Sequence, residues 1–151
     1  MNTLSDLIHN YVLVCALSAW ATAQVCKFFI NYFINRNFNF ERLRGAGGMP
    51  SAHSATVTAL VISCARFNGV QSTYFALAVA LAAIVIYDAM GVRHEAGEHA
   101  KIINQMLKNS ADEESDDPDI KELKEMLGHT PLEVVGGVFT GILIPLIIPL
   151  P

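Results

Sequence analysis

The chain has 151 residues, 52% of them apolar and only 16% charged, with a mean hydropathy of +0.38 and a net charge of −4. One domain fits that length, and the charged fraction lies well below that of an ordinary soluble domain. Three cysteines (Cys15, Cys26 and Cys64) sit in apolar runs without C-x-x-C spacing, which argues against a disulfide framework or a thiolate metal site.

Residues 7–34 form the first apolar run, broken only by Gln24 and Lys27 near its end. About 20 apolar residues cross a bilayer, so a span is expected here. No Lys or Arg falls in the first ten residues and the run is too long for a signal-peptide core, so no cleaved leader is expected. A connection over 35–49 carries Arg36, Arg42 and Arg44 against Glu41. The second run, 50–67, is shorter, and "NGVQS" (68–72) turns the chain into the third and cleanest run, 73–92.

A long connection follows. "HEAGEHAKIINQMLKN" spaces Ile102, Ile103, Met106 and Leu107 as an amphipathic helix would, suited to a membrane interface. "ADEESDD" reads as a solvated acidic turn, and "PDIKELKEML" as a short helix that stops at Gly128. The last run, 132–150, contains Pro145 and Pro149, which kink or fray its end. The expectation is an all-α integral membrane bundle of about four spans (7–34, 50–67, 73–92, 132–150) in a single domain 1–151. An amphipathic and acidic insertion over 94–128 separates spans three and four. The second and fourth runs are short enough to leave a soluble bundle of fully buried helices open.

Eight of the ten basic residues lie in the first and third connections, which share a side of the membrane. The positive-inside rule makes that side cytoplasmic and turns both termini outward. The ten carboxylates between Glu95 and Glu125 do not overturn this, because acidic residues contribute little to the rule.

The polar residues at the span ends gather on that same side. Lys27 lies toward the end of span one, Arg42 and Arg44 before span two, and Ser51 and His53 at its start. Arg93 closes span three, and His129 and Glu133 open span four. Cations and helix N-terminal N–H groups hold phosphate oxygens. A histidine can attack phosphorus while another protonates the leaving oxygen.

"GGMPSAHSA" (47–55), "YDAMGVRHEAGEHA" (87–100) and "LGHTPLEVVGG" (127–137), in that order, resemble the divergent branch of the type 2 phosphatidic acid phosphatase and vanadium haloperoxidase superfamily. The resemblance runs from about Lys27 to Gly141. It implies that His129 is the nucleophile forming a phosphohistidine, that Glu133 orients its ring, and that His53 is the general acid. It further implies that Ser51, the N–H of Ala52, Lys27 and Arg93 bind phosphate oxygens; Arg44 or Arg42 is a further candidate from its place before span two, although neither matches the family pattern. No metal or cofactor is expected. The implied partners are a lipid phosphate and the membrane, not nucleic acid, and a homodimer would enlarge a bundle short of the superfamily's six helices.

The chain departs from the superfamily pattern at several positions. Ile34 and Asn35 stand where the first motif, K-x6-R-P, has Arg-Pro; Ala52 replaces Gly and Glu133 replaces Asp. Arg93 and His129, close together in the usual third motif, are separated by the acidic insertion. Two readings therefore stay open. One is a membrane lipid phosphatase; the other is an inactive membrane protein that binds anionic headgroups in a retained pocket. Glu133 has its own local reading, since "TPLE" is a capping box with Pro at the first helical position. "HEAGEH" fails as a zinc motif, because His94 and His99 are five apart, roughly 140° around a helix.

Overall fold

In the computed structural model, residues 3–35, 48–110, 123 and 128–151 are described, and among them the chain contains helices and loops but no strand. The helices are α1 (Thr3–Ile8), α2 (Tyr11–Asn35), α3 (Ala52–Asn68), α4 (Thr73–Met90), α5 (Val92–Ser110) and α6 (Pro131–Ile147). The first apolar run is thus divided. Asn10 caps α2 by accepting the N–H of Leu13 on its side-chain oxygen at 3.1 Å, so the long helix starts at Tyr11 and not at residue 7.

Each later boundary has a similar local cause. Ser51 caps α3 and Ser72 caps α4, each accepting the N–H three residues on. Gly69, at φ +83°, ends α3 in a conformation that a side chain would resist. Thr130 caps α6, with Pro131 at the first helical position.

Helix α3 lies at the centre, packed against α2, α4 and α6, while α5 packs on α4. The contact between α2 and α3 is made of alanines: Ala19, Ala23, Ala55 and Ala59 are fully buried. Against α6 the approach is closer still. A Cβ at Gly137 would overlap the carbonyl oxygen of Ser51, and one at Gly141 would lie 2.5 Å from that of Ala55. This glycine pair, spaced four apart, lets the two backbones touch, as small-residue pairs do in membrane helices.

The large apolar side chains are on the outside. Trp20, Phe29 and Phe33 of α2, Leu77, Ile84 and Tyr87 of α4, and Val135, Phe139 and Ile147 of α6 are all exposed. In water this arrangement would leave apolar patches far beyond those of a soluble monomer. In lipid, large side chains gain nothing by turning inward, and small ones pack the helices together. Two helices, Tyr11–Phe33 and the one beginning at Thr73, are long and apolar enough to cross a membrane, and the apolar Pro131–Ile147 is shorter.

After α4 the chain continues as helix α5, packed on α4. Its packed side is formed by Gly97, Ala100 and Asn104, leaving Ile102, Ile103, Met106 and Leu107 exposed. The acidic turn and the short helix expected before Gly128 lie outside the described residues, apart from Leu123. That residue is clasped by Asn104, whose Nδ2 donates to the Leu123 carbonyl at 2.9 Å and whose Oδ1 accepts its N–H at 3.0 Å.

Candidate functional site

The C-terminal end of α2, the N-terminal end of α3, the last turn of α4 and the N-terminal end of α6 meet at one end of the bundle. Glu133, in the first turn of α6, joins them. Its Oε2 lies 3.0 Å from Nδ1 of His129 and accepts the N–H of Thr130 at 3.1 Å. Its Oε1 accepts the N–H of Gly48 at 3.1 Å, and its main-chain carbonyl accepts the N–H of Ser51 at 2.9 Å. The capping box expected from "TPLE" is formed in full. The capping and ring-orienting readings of Glu133 are therefore compatible, because a single carboxylate serves both.

His129 is buried, 5% exposed. Its backbone N–H donates to the carbonyl of Ala89 at 3.0 Å, which ties it to the last turn of α4. Gly128, just before it, has φ +89° and turns the chain into that contact. With Nδ1 against a carboxylate, the ring is a donor there, a tautomer assigned from its partner. Nε2 is then the nitrogen left for other chemistry.

His53 stands across from it. The two ring centroids are 6.3 Å apart with 57° between their planes, and His53 is exposed where His129 is buried. His53 lies in the first turn of α3, where the earliest N–H groups, that of Ala52 among them, have no intrahelical acceptor. The positive end of the helix dipole adds to this, so an anion between the two rings would meet favourable charge.

Lys27 is also brought here. It is 8% exposed, its stem lies across Gly48, and its ammonium is close enough to Glu133 to feel the carboxylate's charge. Ser51 is positioned differently from the expectation that it faces a phosphate. It is fully buried, and its Oγ accepts from the Ser54 N–H at 3.3 Å and the Ser54 hydroxyl at 3.0 Å. In this arrangement its hydroxyl caps α3. Arg93 is the second residue of α5, but its side chain lies outside the described residues, as do Arg42 and Arg44 altogether.

Two participants carry no signal as side chains. Gly48 contributes a backbone N–H and Ala89 a backbone carbonyl. The Gly-Gly pair before Pro50 hinted at a turn, but nothing in the sequence marked Ala89.

A model of the Divergent PAP2 family matches residues 8–144. The chain belongs to that family. The match spans every element of the site, from Lys27 through His53 to Glu133, so the resemblance carried by the three motifs holds across the whole bundle. The chain is also 40% identical over 152 residues to the uncharacterized membrane protein YuiD of Bacillus subtilis (strain 168), covering 95% of this chain and 96% of that protein. No solved structure matches the chain. Together with the outward-facing apolar side chains, this makes the protein a family member of membrane type.

Proposed function

We propose that the protein is a membrane phosphatase that hydrolyses a lipid phosphomonoester or diphosphate through a phosphohistidine on His129. The observation that carries this reading is the buried His129–Glu133 pair, with His53 facing it across 6.3 Å at a helix N-terminus. Nε2 of His129 attacks phosphorus and the bond to the leaving oxygen breaks, with His53 supplying that oxygen's proton. Glu133 stabilises the ring as it becomes positive. Water then attacks the phosphohistidine, gives its proton to His53, and releases inorganic phosphate. Lys27, the N–H of Ala52 and Arg93 are the candidates to hold the phosphate oxygens, and Ser51 would join them only by giving up its cap.

In this reading α3 and α6 cross the membrane with the two longer helices, and the site opens at headgroup depth on the cytoplasmic face. Alternating helix directions and the basic connections at the site end support that orientation. Both termini then face outward. Phosphate release from a panel of lipid phosphates by purified protein in detergent, wild type beside His129→Ala, tests the proposal. Release by wild type alone, blocked by vanadate as a pentacoordinate mimic, is the expected result. Binding of lipid phosphates without release by either protein would favour a retained, non-catalytic headgroup pocket.

A further inference from the structure

Both carboxylate oxygens of Glu133 are engaged: His129 Nδ1 and the Thr130 N–H meet Oε2, and the Gly48 N–H meets Oε1. The first two come from the helix's own lead-in. The third comes from a loop 85 residues earlier in the chain. It engages Oε1 from a second part of the chain, so that the carboxylate is held at both oxygens while Oε2 meets His129.

We propose that Gly48 is a positioning residue. Its N–H fixes the rotation of the Glu133 carboxylate so that Oε2 stays on His129, and its bare Cα lets the Lys27 stem cross to the same carboxylate. The proposal rests on the assignment of His129 as the reactive histidine. Two features of Gly48 make the role specific. It has φ +93°, a conformation that L side chains resist. An added Cβ would also sit 2.8 Å from Cε of Lys27. That neighbour is the movable end of a lysine, so backbone strain is the dominant cost of a side chain here and displacement of Lys27 the second. Glu133 itself fits this role. Its carboxylate must reach the Thr130 N–H and the Gly48 loop together, which a side chain one methylene shorter would do less well.

Among the described residues, the groups facing the His129 ring include Glu133 from α6, His53 from α3 and, through Glu133, Lys27 from α2. The test uses histidine-labelled 15N protein in detergent micelles at fixed pH, with the His129 resonances assigned by their loss in His129→Ala. Wild type is expected to show His129 protonated on Nδ1. Gly48→Ala is expected to move it toward a mixture of tautomers while His9 stays unchanged. Identical His129 resonances in a folded Gly48→Ala protein would overturn the proposal.

A second measurement decides the matter if that variant fails to fold. The Gly48 amide of wild type should exchange with deuterium at least about tenfold more slowly than in Glu133→Gln, the change expected for loss of one charge-assisted hydrogen bond. Equal exchange would overturn the role. Neither readout depends on turnover. A wild type that shows both signatures but releases no phosphate would refute the phosphatase reading and leave Gly48 in place, and the reverse result would do the opposite.

Discussion

The two ends of the bundle use similar groups in opposite ways. At the end away from the histidines, the Tyr11 hydroxyl donates to the Pro145 carbonyl at 2.9 Å, and Arg66 Nη1 donates to the Tyr11 oxygen at 2.7 Å and to the Ile148 carbonyl at 3.2 Å. The cause lies in the sequence: the carbonyl of Pro145 would ordinarily bond the N–H four residues on, and that residue is Pro149, which has none. The Tyr11 hydroxyl substitutes for the missing donor, and Arg66 holds that hydroxyl and the Ile148 carbonyl, joining α2, α3 and the end of α6. At the histidine end, Glu133 is equally engaged, yet it meets only Nδ1 of the His129 ring, and His53 across from it is exposed. The far end joins three helix ends through buried and part-buried bonds, whereas the near end gathers two histidines, a lysine and a carboxylate with one ring exposed, as a binding or catalytic site requires.

Substitutions can separate these two kinds of polar cluster. The largest effect belongs to His129→Ala, which should reduce phosphate release at least about 10³-fold, the order of loss when a group central to proton or phosphoryl transfer is removed. Its cost in thermal stability should be small, about 1 kcal/mol for one lost hydrogen bond. Parallel assays of phosphate release and detergent melting check both halves. A collapse of the fold in this variant would mean that the near end is as structural as the far one.

Glu133→Gln should come next and should affect both properties. An amide offers one acceptor oxygen where the carboxylate offers two, so a donor that now meets a carboxylate oxygen must face an NH2 group instead. A 10- to 100-fold loss of rate is expected, in the range of about 10²-fold effects typical of acid–base partners, together with about 1–2 kcal/mol of stability from the damaged cap. Loss of rate without loss of stability would show that the capping box contributes little.

How much of this was legible beforehand depended on whether a residue acts through its side chain. The apolar runs, the cap at Thr130, and the convergence of Lys27, His53, His129 and Glu133 on one end all follow from side-chain type and spacing. Gly48 and Ala89 act through backbone groups, and every residue has those. The burial of Ser51 was unreadable for a related reason. Whether a serine caps a helix or faces a ligand depends on how closely the neighbouring helix approaches, and Gly137 sets that distance. Arg66 and Tyr11 were also missed as a pair, since 55 residues separate them and only the antiparallel packing of α2 on α3 joins them.

Tyr11→Phe tests the far end alone. It removes the donor to Pro145 and the acceptor for Arg66 while keeping the ring that stacks near Phe67 at 5.9 Å. A loss of about 2 kcal/mol is expected, because buried partners are left unsatisfied, with phosphate release per folded molecule unchanged. A change in rate at constant stability would show that the two ends communicate through α2.

The smallest effect should come from Gln24, one turn before Lys27 on α2. Its Oε1 is buried with no donor among the described residues. An unsatisfied buried acceptor costs stability, and replacing it with an apolar side chain of similar size recovers part of that cost. Gln24→Leu should therefore stabilise the protein by about 1 kcal/mol, visible as a higher melting temperature in detergent. If it instead slows phosphate release without destabilising the fold, Gln24 belongs with the polar cluster of the near end. The boundary between the two regimes would then lie a full helical turn deeper in the bundle than Lys27.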